Sequence, residues 1–286
     1  MRRRGVREGL VERWKKVKWL WKGREIEEVR KFRYLGYVVM ANGGQKEHIK
    51  ERIRKGAVVM REVWGIGKRR FGKDWARRIW LFDRLVWTVM GYGVEIWGWK
   101  EREEVERMQD RYLRWLMGVG WRAPGYMVRE ELMREKMRGR AGMRAWGYER
   151  KLGEGGGGEM ARWCWKEMRE RAKKGEVVGE WERERKEFYR KKGWEIEEIE
   201  RMREEGELRG EEVVGREKRL QEKERWDKIK ESRTNEWYKR IKGKGIPGYL
   251  KKGWKEERWQ RVARFRLGVE MRGGRYWEKE DKRKCR

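Results

Sequence analysis

Between Phe32 and Lys55 the hydrophobic period of the chain changes, and that change limits what the N-terminal third can become. Val29 to Met40 is dense in Val, Tyr, Phe and Leu, a composition suited to a strand on a pleated, half-buried surface. Asn42-Gly43-Gly44 supplies residues that tolerate the positive φ of a tight turn. From Gln45 onward Ile49, Ile53, Ala57 and Met60 recur every three or four residues and so share one helical face. Lys46, Lys50, Arg52, Arg54 and Lys55 fall off that stripe, which predicts an amphipathic, basic helix.

More helices are expected downstream. Asp74 is placed to cap one carrying Trp75, Ile79, Phe82, Val86 and Met90, and Trp80, Leu81, Leu85 and Trp87 add enough apolar surface to predict packing on both sides. Glu101 to Met117 predicts another, with Val105, Met108, Tyr112, Trp115 and Leu116 as its stripe and Gly118 at its stop. Upstream, the alternation from Val17 to Trp21 before Lys22-Gly23 predicts a hairpin arm. The fold class is therefore mostly α with a small N-terminal β element, a helical bundle followed by extended charged helices.

Charged residues make up 46% of the chain, against about 25% in ordinary globular domains. The formal net charge of +31 is the footprint of a polyanion binder, with nucleic acid the expected partner. A second source of that charge is nucleotide bias: residues with purine-rich codons abound, while Ser and His occur once each and Pro only twice. The two cysteines, Cys164 and Cys285, are too few and too distant for a disulfide framework, so an intracellular chain is expected, nuclear or cytoplasmic. The opening MRRRGVREGL lacks the apolar run of a secretory signal, and the most apolar stretch, Ile79 to Met90, contains Asp83 and Arg84 and is too short to span a bilayer.

Past Trp121 the pattern weakens. Pro124 and Gly125 punctuate it, and residues 153–158 have the composition of a flexible linker. From Glu167 to Glu236 basic and acidic residues nearly balance around sparse apolar positions such as Trp181, Phe188, Ile196, Ile199 and Met202, as in a solvated helical spacer. The charge turns basic again from Trp237 to the end. Four segments result: 1–44, 45–120, 121–231 and 232–286.

Phe32-Arg33-Tyr34-Leu35-Gly36, followed by His48-Ile49 and Arg52-Ile53, resembles the palm-to-thumb joint of non-LTR (LINE-type) retrotransposon reverse transcriptases. The C-terminal order is similar too: Asn235-Glu-Trp-Tyr-Lys, then Gly245-Ile-Pro-Gly-Tyr-Leu250, then Trp259 to Gly268, then Tyr276-Trp277. The resemblance implies a palm remnant in 1–44 with a primer-grip-like strand, a thumb in 45–120, and a basic segment 232–286 stopping at Cys285-Arg286, short of a zinc knuckle. It further implies RNA and DNA partners, a template-primer duplex above all, and Mg in the intact enzyme. No cofactor is expected in this fragment.

Catalysis is not expected. The family polymerises with metals held by palm aspartates, two of them adjacent, and the aspartates here (Asp74, Asp83, Asp110, Asp227 and Asp281) each stand alone. A hydrolase built on Ser232 or Cys164 lacks a base, since His48 is the sole imidazole, and structural zinc fails on ligand count. Gly65-Ile66-Gly67-Lys68-Arg69-Arg70 lacks the spacing of a nucleotide-binding P-loop. As a loop it would serve as a phosphate contact or as a solvated inter-helix turn. The expected nucleic-acid contacts are Arg33, Tyr34, Gly36, His48, Arg52 and Lys55 at the joint, and Lys68, Arg69, Arg70 and Lys73 in the loop. Trp75 and Trp115 sit on stripes and are expected in the core. Two other readings stay open: a helical protein that binds RNA or DNA without sequence preference, and a decayed reading frame with no selected activity.

Overall fold

The computed structural model describes residues 20–174, 179–232 and 236–268. Its β content is two short antiparallel hairpins. Strands β1 (Leu20–Trp21) and β2 (Arg24–Glu25) are joined through Lys22 and Gly23, both at positive φ. The arm predicted at Lys22-Gly23 therefore turns there, while Val17 to Trp19 lie outside the described residues. Strands β3 (Lys31–Tyr34) and β4 (Tyr37–Met40) pair from Lys31↔Met40 to Tyr34↔Tyr37.

A hairpin thus replaces the single strand expected over Val29 to Met40. Its two turn residues, Leu35 and Gly36, have φ of 45° and 80°, the left-handed pair that matches strand twist. Left-handed backbone costs Leu35 roughly 1–2 kcal/mol, and tertiary contacts offset it: the Tyr92 hydroxyl donates to the Leu35 carbonyl and the Arg52 guanidinium to that of Gly36. Asn42-Gly43-Gly44 makes the exit into the first helix instead, with Asn42 Oδ1 accepting the Gly44 N–H at 3.0 Å.

Helix α1 (Lys46–Arg70) runs without a break through the stretch expected to loop at Gly65 to Arg70. Two of its glycines face inward for lack of room: a Cβ on Gly56 would collide with the Met90 side chain, and one on Gly67 would meet Arg78 Cγ at 3.2 Å. Helix α2 (Trp75–Leu81) starts where Asp74 Oδ1 accepts the Arg77 N–H at 2.8 Å, then passes through a π turn at Phe82–Val86 into α3 (Trp87–Met90). Phe82, Val86 and Met90 join one core together with Leu81 and Trp87 while Ile79 joins another, so this stretch packs on more than one side as expected, and Trp80 and Leu85 are the expected apolar residues left in solvent. After α4 (Val94–Trp97), α5 (Glu103–Met117) ends at Gly118 with φ of 64°, as its stripe predicts. Met60, Phe82, Trp97, Tyr112 and Met137 join these helices into one core.

Helices α6 (Gly125–Glu131), α7 (Met137–Gly153), α8 (Glu159–Lys173), α9 (Glu180–Arg190), α10 (Ile196–Glu204) and α11 (Gly210–Glu231) follow. They are as charged as the sequence reads, yet their sparse apolar positions converge: Phe188 and Ile199 bury with Trp99, Trp146, Trp194 and Val213. Beneath that core the Arg185 guanidinium lies between Glu149 at 2.5 Å and Glu182 at 3.0 Å, so charge otherwise spent on solvent is paired inside. The glycine run becomes the turn between α7 and α8, where Arg162 donates to the Gly155 and Gly157 carbonyls, each at 2.9 Å.

The C-terminal stretch folds back. Helix α12 (Glu236–Ile241), a 3-10 turn at Gly248–Lys251 and α13 (Glu256–Arg266) bring Tyr238, Leu250, Trp259 and Ala263 against Leu116 and Met127. Tyr238 donates to Glu131 at 2.9 Å and Arg266 pairs with the same carboxylate at 2.5 Å, which fastens both helices to α6. Asn235, Tyr276, Trp277 and Cys285 lie outside the described residues, among which no helix is long and apolar enough to cross a membrane.

Candidate nucleic-acid interface

The β3–β4 hairpin is held to α1 from beneath. His48, in the first turn of α1, is completely buried; its ring stacks on Tyr37 with centroids 3.8 Å apart. The Val38 N–H donates to Nδ1 at 3.2 Å, so Nε2 carries the proton and donates to the Tyr92 carbonyl at 2.9 Å. Desolvation pushes this imidazole below its ordinary value, and the neutral ring is the form both bonds require. Arg52 is also buried, bonded to Gly36 and stacked over the Tyr92 ring at 4.5 Å.

Three of the ten expected contacts are thus structural. His48 and Arg52 turn inward and cannot meet a strand in solution, and Gly36 gives its carbonyl to Arg52. Arg52 was expected off the apolar stripe; it lies on the buried face because its guanidinium finds a carbonyl and an aromatic ring there. Arg33 and Lys55 reach the surface but share one carboxylate, Glu51, at 2.7 and 3.0 Å. The hydrogen bond from Lys55 is the main reason that carboxyl is held below its usual range.

The rest are open. Tyr34 is 61% exposed at the hairpin end and borders a cleft of about 520 Å³ that also takes in Leu35, Tyr92, Ile96 and Arg144. Lys68, Arg69, Arg70 and Lys73 are exposed at the far end of α1, about 25 Å from Glu51 at the helical rise per residue. Among the described residues none of these four makes an ion pair; Lys68 sits 5.9 Å above the Trp64 ring. The structure therefore divides the expected site between two ends of one helix.

Between those ends lie two cations that the sequence reading did not select. Arg54 and Arg61 are exposed, unpaired among the described residues, and spaced seven apart with Lys68, so all three project from one face. The spacing was visible in the sequence, but the exposure of that face was not. Of the three acids on α1, Glu47 is paired with Lys50 at 2.9 Å and Glu51 is shared as above, leaving Glu62 exposed.

Three of the described aspartates have partners of their own: Asp74 in its cap, Asp83 with Arg134 and Arg140, Asp110 with Arg129 at 2.9 Å. Burial raises the Asp110 carboxyl, and Arg129 opposes that rise. In comparisons with known proteins, no family model, no curated protein and no solved structure matches this chain.

Proposed function

We propose that this chain binds the sugar-phosphate backbone of nucleic acid along the outer face of α1, without reading sequence and without catalysis. The observation that supports it is the row formed by Arg54, Arg61 and Lys68, continued by Arg69, Arg70 and Lys73, exposed and without acidic partners among the described residues. Cations held on a rigid helix neutralise phosphates and fix position, while base identity needs groove contacts that this row does not supply. Tyr34 offers a ring on which an unpaired base can stack, worth about 1–3 kcal/mol per base.

The resemblance to LINE-type reverse transcriptases gives the ligand its form: a template-primer duplex gripped by a thumb-like bundle in a fragment of such an enzyme, in the nucleus or the cytoplasm. The test is a titration with an RNA–DNA hybrid bearing a recessed 3′ end, alongside a blunt duplex. Neutralising about six phosphates gives a log-log salt slope near −5, on the order of a thousandfold loss between about 50 and 200 mM salt. A flat salt response overturns the binding itself, and equal affinity for both ligands favours a protein indifferent to ends.

A further inference from the structure

Trp75, at the start of α2, donates its indole N–H to the carbonyl of Leu250 at 2.7 Å. Beside it, Arg78 Nη1 lies 3.1 Å from Glu256 Oε2 at the start of α13. Gln260, one turn further along α13, donates to the Leu116 carbonyl at 2.9 Å. Two of these contacts press the 3-10 turn and α13 onto α2, and the third ties α13 to the end of α5, although α2 and α13 are far apart in the chain.

That docking brings two sets of cations together. Lys73 and Arg77 lie two residues either side of Trp75, and Lys251 and Lys252 directly follow Leu250. Since Trp75 and Leu250 are in contact, both sets flank one junction on a scale of roughly 10 Å, about one Debye length at 0.1 M salt. Lys251, Lys252, Lys255 and Arg258 are exposed and make no ion pair among the described residues. Lys252 and Arg258 both stand over the Trp254 ring, at 5.0 and 4.1 Å, which fixes their positions. The acids at the junction are occupied, Asp74 by the Arg77 N–H and, at 3.7 Å, by the Arg77 guanidinium, so that Lys73 is the unpaired cation of the first set, and Glu256 by Arg78; Glu257 alone is exposed. Like charges crowded on a rigid junction repel unless a polyanion lies across them.

We infer that the backbone-binding track does not end with α1 but crosses the Trp75–Leu250 junction onto the 3-10 turn and α13, so that one nucleic-acid duplex spans both. This rests on the reading of α1 as a backbone-binding face. From Arg54 to Lys68 the row covers about 21 Å, and the junction adds roughly 10 Å. At about 3.4 Å per base pair the footprint is near nine pairs.

The experiment is anisotropy titration of a 14-base-pair RNA–DNA hybrid over a salt series. It uses the full chain, K251Q/K252Q/R258Q, and R54Q/R61Q/K68Q, with each variant's fold checked by circular dichroism and melting. Each triple variant should lower the salt slope by about 2.7 and weaken binding at least tenfold at low salt. Should the first triple variant not fold, the single variants K251Q and K252Q, at side chains that hold no ion pair, should each lower the slope by about 0.9. If the unaltered chain binds and R54Q/R61Q/K68Q weakens it, while removing charge from 251, 252 and 258 changes neither slope nor affinity by more than twofold, the extended track is wrong and the α1 reading stands. If the unaltered chain does not bind, both fall.

Discussion

The guanidinium of Arg78 is fully buried and has two partners: it lies 4.4 Å over the Trp64 ring and 3.1 Å from the Glu256 carboxylate. The contact with Glu256 is ionic; none of the Arg78 nitrogens has a well-aligned acceptor. Removing one member of a buried pair leaves the other charge uncompensated, at a cost of about 3–5 kcal/mol. Glu256→Gln should destabilise the fold near the lower end of that range, because the carboxylate side keeps some solvent. R78M/E256Q should be less damaging than the sum of its single changes. Urea unfolding of the four proteins measures both; additive losses would show that the two groups do not interact.

His48 makes the hairpin sensitive to acid. Burial lowers its folded-state pKa below the ordinary 6.5, so between the two values the unfolded chain binds the extra proton. The stability it contributes is complete above about pH 6.5 and is lost as pH falls toward the folded value. Unfolding at pH 7.5 and 5.5 should show the decline, and His48→Phe should flatten it. Leaving the Val38 N–H without a partner should also cost about 1–3 kcal/mol at pH 7.5, while the Tyr92 carbonyl keeps the Trp97 indole N–H at 3.3 Å. An unchanged pH profile in the variant would assign the acid sensitivity to other groups.

Two glycines separate backbone strain from lack of space. Gly93 has φ of 73°, and a Cβ there would lie 2.6 Å from the Tyr37 ring and 3.2 Å from His48 Nε2. Gly36 has φ of 80° with nothing nearer than Arg52 Nη2 at 3.5 Å. Gly36→Ala should therefore cost about 1–2 kcal/mol, the left-handed penalty alone, and Gly93→Ala about 1–3 kcal/mol more from overpacking. Melting temperatures of the two variants give the comparison, and equal losses would mean the Tyr37–His48 stack yields to the added methyl.

Most of the helical content was legible because periodicity is local. The α5 stripe and its Gly118 stop, and the Asp74 cap, needed only neighbours within a few residues. The β3–β4 turn was not legible, since Leu35 adopts positive φ only under the grip of Tyr92 and Arg52 from other elements. The candidate site was legible in part. Lys68, Arg69, Arg70 and Lys73 are exposed as expected, but a sequence cannot show that Arg33 and Lys55 spend their charge on Glu51 or that His48 and Arg52 point inward.

By itself the amino-acid order determined a basic, mainly helical chain with a small β start, because charge and hydrophobic period are properties of single residues and short windows. Which cations stay unpaired among the described residues, and that α2 meets the segment from Leu250 to Glu256, only tertiary structure decided. Those outcomes hang on contacts such as Trp75 with Leu250 and Arg78 with Glu256. Residues so far apart in the chain meet only when folding offsets the entropy of closing the loop between them, and no local pattern records that balance.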